Sequence, residues 1–330
     1  MAVSIEDIKK LRAMTGAGLS DCKNALAEAE GNIDAAIELI RKRGQAIAAK
    51  RSDREAAEGC VLVKVDGNFG AICALKCETD FVAKNADFVA LANEIIDAAV
   101  AARCANIEEV KALTIGDATV AERITRQSGV TGEKMELDGY MTVTGEGLAA
   151  YDHQSNHMLC SLVAFNQAVD AEAGKNVAMQ VASAAPAGID QKGIAQDVID
   201  AELRVAVEKT KEEQVQRAVE AAIKKAGFNP AHFDSEDHME SNQAKGWITA
   251  EDVAKVKEII ATVSAEKAAN LNENMIQNIA QGRLKKFFKE NCLLEQEYIW
   301  DKNLNVAAYL NSVEKGLTVT DFKRFTLRAE

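Results

Sequence analysis

Residues 60–95 read CVLVKVDGNFGAICALKCETDFVAKNADFVALANEI, and the pattern of apolar residues changes along them. Cys60 to Val65 and Ala71 to Cys77 have strand composition, and Asp66-Gly67-Asn68-Phe69-Gly70 between them predicts a β-hairpin. From Asp87 to Arg103, Phe88, Leu91, Ile95 and Val100 recur at helical spacing. Between hairpin and helix lies KCETDFVAKN, residues 76–85, a polar corner that sets Asp80 beside Phe81. The unit is strand, strand, corner, helix.

The same order returns further on. GLAAYDHQ (147–154) and HMLCSLVAF (157–165) make a second hairpin, followed by a polar corner and the helical KNVAMQVASAA (175–185). Two such units predict an α+β core with an internal duplication. Its halves fall at 54–140 and at 141–188 with 287–330. Ahead of the core, residues 1–53 read as a three-helix module. Ser4 with Asp7 starts the first helix, whose Ile5, Ile8 and Leu11 share a face; a second runs from Ser20 to Glu30; a third starts after Gly31-Asn32 and stops at Gly44. Lys42 to Gly59 then reads as a basic linker. Residues 189–286 predict two long amphipathic helices with a polar tip, an antiparallel hairpin inserted in the core. After it come a helix over Val306 to Val313 and a last strand, DFKRFTLRA.

Composition limits the function. The chain carries 39 Lys+Arg against 51 Asp+Glu, net −12, which repels phosphate backbones and argues against direct nucleic-acid binding. No stretch approaches the ~18 uninterrupted apolar residues of a membrane span, and MAVSIEDIKKLRAMTGAG lacks a signal-peptide core, so a cytoplasmic protein is expected. Seven scattered cysteines without a CxxC pair predict reduced thiols, and with only four histidines no metal is expected. No phosphate-binding loop, HExxH or GxSxG stands in the chain, and Gly16-Ala17-Gly18 joins two helices rather than following a strand. No catalytic residue and no cofactor is therefore expected.

Three stretches in order carry a resemblance. LRAMTGAGLSDCKNAL (11–26), CETDFVAKN (77–85) and GRLKKFFKENCLLEQEY (282–298) resemble the signatures of the elongation factor Ts family, guanine-nucleotide exchange factors of elongation factor Tu. The resemblance implies a ubiquitin-associated-like helical module, a core of two related subdomains, an inserted coiled-coil hairpin, and a partner GTPase bound without covalent chemistry. It leaves open a one-to-one complex, a two-to-two complex or a homodimer.

Read from the residues alone, Thr79-Asp80 fits a helix entry with Phe81 tucked onto the core, and equally a corner that holds Phe81 outward as a wedge. The resemblance favours the wedge: Thr79, Asp80, Phe81 and Val82 would intrude beside the Mg2+ and phosphate site of elongation factor Tu. It also implies partner contacts from Lys9, Arg12, Leu19, Lys23 and His153. The departures from the family pattern include these. The hairpin tip, Gly227 to Lys245, looks enlarged, and the loop 126–139 keeps only Gly132-Glu133 of a fuller motif. Competing readings are an adaptor built on the helical module without exchange activity, and an enzyme using Asp80 as a general base.

Overall fold

The computed structural model describes residues 3–328. The chain mixes helices with small antiparallel sheets and forms two compact units, one of residues up to Ile189 together with those from Glu297 onward, the other of Asp190–Gln296.

In the first unit, α1 (Ile5–Thr15), α2 (Leu19–Glu28) and α3 (Ile33–Lys50) close on Leu11, Ala17, Cys22, Ala25, Leu26 and Ala36. Ser4 and Asn32 cap α1 and α3 by accepting from the Asp7 and Ala35 N–H groups. Two expectations fail here. Ile5, placed inward by its spacing, is 72% exposed at the first turn of α1. The third helix does not stop at Gly44 but runs to Lys50, through half of the expected linker. Gly44 is buried because it is a packing residue: a Cβ on Gly129 of α7 (Val120–Thr131) would lie 2.4 Å from the Gly44 Cα. The missing side chains let α3 and α7 lie against each other.

The core is four layers deep. β1 (Glu58–Asp66), β2 (Phe69–Cys77) and β5 (Met135–Thr144) form one antiparallel sheet in the order β1-β2-β5. Alternation sorts its side chains: Cys60, Leu62, Ala71, Cys73 and Leu75 face α5 (Ala86–Ala101), with its Phe88, Leu91 and Ile95, while Val61, Ile72, Ala74 and Val143 face the second sheet. That sheet, in the order β10-β7-β6, is made by β6 (Gly147–Asp152), β7 (Leu159–Phe165) and β10 (Val319–Thr326). Its Cys160, Leu162 and Ala164 fill the space between the sheets, and its outer face meets α8 (Ala171–Ala184), where buried Ser161 donates to the Ala178 carbonyl at 2.6 Å. Each sheet is thus a hairpin, a helix, and a third strand that returns beside the hairpin's second strand.

Between α5 and β5 the chain makes α4's successors α6 (Ile107–Ala112), the two-residue strands β3 (Thr114–Ile115) and β4 (Ala118–Thr119), and α7, with α4 (Asp80–Ala83) itself sitting at the corner before α5. The stretch 126–139, expected as a loop, is the end of α7 and the start of β5. Near its end, β8 (Glu297–Tyr298), β9 (Asp301–Asn305) and α13 (Val306–Val313) precede β10, with Tyr298 stacked on Tyr309 at 4.0 Å between ring centroids.

The second unit departs from a simple two-helix hairpin. α9 (Gln196–Lys225) is one long helix, but the return leg is broken into α11 (Ala250–Ala269) and α12 (Glu273–Asn291) because Asn272 accepts from the Met275 N–H and starts a new helix. α12 packs along the first half of α9 around Ile194, Leu284, Phe288 and Cys292. α11 packs along its second half around Val219, Ile223 and Val256. The tip is not simply polar: α10 (Glu236–Ala244) adds Met239, and Phe233 and Ile248 are buried beside it. Among the described residues no helix is long and apolar enough to cross a membrane.

Candidate functional site

The corner begins where β2 ends. Thr79 is extended, with its side chain accepting from the Val82 N–H, and α4 is the single turn that follows. Val82 and Ala83 pack on the core beneath α5, so the next position round the turn points away, and Phe81 is 82% exposed. An exposed phenylalanine forgoes burial worth roughly 1.5 to 3 kcal/mol, which singles it out from the rest of this well-buried core. Of the two readings of the corner, the one that tucks Phe81 onto the core is overturned. Asp80, half exposed, accepts from Lys84 Nζ at 2.7 Å, and that bond holds its carboxyl below the ordinary carboxylate range. Asn85 then caps α5 through the Asp87 and Phe88 N–H groups.

Two carboxylates pin this turn. Glu133 accepts from the Thr79 N–H at 3.1 Å and from the Thr79 hydroxyl at 2.6 Å. Glu78 accepts from the Lys134 N–H at 2.6 Å, from Arg51 Nη1 at 2.9 and 3.0 Å, and from Arg54 Nη1 at 3.4 Å. Each side chain therefore takes a backbone N–H from the segment that carries the other. Burial alone would raise the Glu78 carboxyl; the Lys134 amide and the two guanidinium groups outweigh it and hold it low. None of these partners was singled out from sequence except Glu133, whose contacts were left open.

The other sequence-derived residues stand on separate elements. Lys9 and Arg12 lie one turn apart on α1, and Leu19 and Lys23 one turn apart on α2; all four are exposed, Leu19 by 54%. Sequence reasoning missed Met14, 56% exposed beside the Gly16-Ala17-Gly18 turn, although an apolar residue in that polar stretch was a signal. Met14, Ala17, Ile37, Ile40, Ile47 and Val130 line a cleft of about 450 Å³ between the helical module and α7. His153 directly follows β6 and is half-buried, its Nδ1 lying 3.1 Å from the Tyr151 hydroxyl. Neighbouring His157 pairs with Asp152 at 2.6 Å.

Little here suits covalent chemistry. All seven cysteines are free and buried, and burial pushes the Cys60, Cys73 and Cys77 thiols up to about 12. Among the described residues no group of three His, Cys, Asp or Glu side chains is placed to hold a metal ion. Asp80 is a half-exposed, ion-paired carboxylate with a lowered pKa, the opposite of a tuned general base.

The comparisons with known proteins agree on one family. The sequence model described as Elongation factor TS matches residues 78–228 and 243–329, beginning at the corner itself. The Elongation factor Ts of Bacteroides fragilis is 65% identical over 330 residues, covering the whole of both chains. That of Bacteroides thetaiotaomicron is 62% identical over the same length, and that of Porphyromonas gingivalis 42% over 331 residues, again end to end. The chain is thus a translation elongation factor by kinship and belongs to the elongation factor Ts family.

Proposed function

We propose that the chain is a guanine-nucleotide exchange factor that acts on elongation factor Tu in the cytoplasm, displacing Mg2+ and GDP without making or breaking a covalent bond. The observation that carries this reading is Phe81, 82% exposed on a turn that Glu133 holds by the Thr79 N–H and that the Glu78 side chain ties to the Lys134 N–H. A rigid exposed aromatic is a ready anchor for a pocket on a partner. Thr79, Asp80, Phe81 and Val82 form the intruding corner: Phe81 wedges, and Asp80 exchanges its bond to Lys84 for groups that order the metal and phosphate site.

Exchange of this kind is negative coupling between two ligands of one GTPase. A factor that weakens GDP binding is weakened by nucleotide to the same degree, so incoming GTP ejects it and no energy source is needed. Residues 1–53, ubiquitin-associated-like in our reading, add affinity through Lys9, Arg12, Leu19 and Lys23, and His153 adds a contact from the second half of the core. Release of labelled GDP from elongation factor Tu, followed with substoichiometric amounts of this protein, tests the reading. Acceleration supports it; binding without acceleration makes the protein an adaptor.

A further inference from the structure

We propose that Glu133 is the positioning residue of the wedge, setting the direction in which Phe81 leaves the protein by holding Thr79; this rests on the exchange reading above. Phe81 is too exposed for its own contacts to aim it, so its aim comes from the backbone of α4. That helix is four residues long, and a lone turn is unstable without outside support because nucleation fixes several dihedral angles for one hydrogen bond. Glu133 supplies the support. Both of its carboxylate oxygens are used on one residue, the Thr79 N–H and the Thr79 hydroxyl, and bonds to an ionised acceptor are stronger than neutral ones.

Glu133 is itself held in place. Its carbonyl accepts from buried Ser128 of α7, its N–H donates to the Thr131 hydroxyl at 3.3 Å, and the adjoining Lys134 N–H goes to Glu78. The carboxylate is thus presented to Thr79 from a short, hydrogen-bonded turn between the end of a helix and the start of a strand. A wedge aimed in advance enters its pocket without first ordering itself, and loss of such aim slows the step that follows binding more than it weakens binding.

The test is GDP release from elongation factor Tu as a function of factor concentration, for Glu133→Ala, Glu133→Gln, Phe81→Ala and the Glu133→Ala/Phe81→Ala double variant. Glu133→Ala should lower the limiting rate about tenfold while the half-saturating concentration stays within about twofold. Glu133→Gln should recover most of the rate, because its carbonyl can accept from the Thr79 N–H and its amide can donate to the hydroxyl. In the Phe81→Ala background, Glu133→Ala should change the rate by less than about twofold, since it acts through Phe81. Ser161→Ala, which removes a buried hydrogen bond in the other sheet, controls for stability alone. If it melts as low as Glu133→Ala and loses as much rate, the positioning role is wrong. Should Glu133→Ala fail to fold, Thr79→Val removes the hydroxyl's bond to Glu133 together with its cap on the Val82 N–H, and an unchanged limiting rate there overturns the role. Slow exchange by Phe81→Ala beside normal exchange by Glu133→Ala rejects the positioning role and keeps the exchange reading; full exchange by Phe81→Ala rejects the wedge and the positioning role with it, and only a parent protein that does not accelerate release rejects the exchange reading.

Discussion

Arg51, at the C-terminal end of α3, donates through Nη1 to both oxygens of Glu78, at 2.9 and 3.0 Å. The helical module is thereby tied to the first residue of the corner. Glu78→Gln should lower stability at pH 7 by roughly 1 kcal/mol, the low end for a charged hydrogen bond because Arg51 is partly solvated. The sign of the pH dependence follows from the depressed Glu78 carboxyl. Its contribution is complete above the unfolded value, about 4.3, and disappears as pH falls through the lower folded value. Urea midpoints of the two proteins, separated at pH 7, should draw together as pH falls below the unfolded value.

Gly129→Ala should destabilise by about 1 to 3 kcal/mol, because its Cβ would meet the Gly44 backbone at 2.4 Å and backbone cannot swing aside. Gly282→Ala in α12 meets nothing within 4 Å and should stabilise by about 0.5 to 1 kcal/mol. Thermal melting of the two variants should move in opposite directions.

Strand composition made the first hairpin legible, since Cys60 to Val65 and Ala71 to Cys77 flank a glycine turn, and the helix expected over Val306 to Val313 is α13. What stayed hidden depends on residues far apart in the chain. Gly44 reads locally as a helix stop, and only its approach to Gly129 explains why α3 continues. Residues 126–139 read as a loop, yet β5 passes through Asp138-Gly139 by a bulge between the pairings of Cys73 and Leu75. At the site, the corner and its Asp80-Phe81 pair were visible, but not which way Phe81 points, because a one-turn helix shows no period. Glu133 is one acidic residue in a polar stretch, and its bond to Thr79 spans 54 positions.

The second unit divides at Asn270–Asn272, and its far half has its own core. Lys211 reaches Glu273 at 3.5 Å, so a short loop can join α9 to α12 at that level. A protein in which that loop replaces residues 215–271 should fold, with the Ile194, Leu284 and Phe288 cluster intact, and should exchange GDP at nearly the full rate. Loss of exchange by a folded variant would make the far half a contact surface.

The cysteines should be silent in the native state. With all seven buried and the thiols of Cys60, Cys73 and Cys77 pushed up to about 12, alkylation at pH 8 should proceed only as fast as the protein opens. Mass spectrometry should find full labelling in denaturant and almost none without it.

The most direct measurement is GDP release from elongation factor Tu by Phe81→Ala and Asp80→Asn, with the melting temperature of each recorded beside it. Phe81 is 82% exposed, so its truncation should leave melting within about 2 °C of the parent, whereas a core phenylalanine cut to alanine costs about 3 to 5 kcal/mol. Both variants should exchange more slowly, Phe81→Ala the more so, because a wedge acts on the partner and not on its own fold. A Phe81→Ala protein that melts normally and still releases GDP at the parental rate would contradict the account.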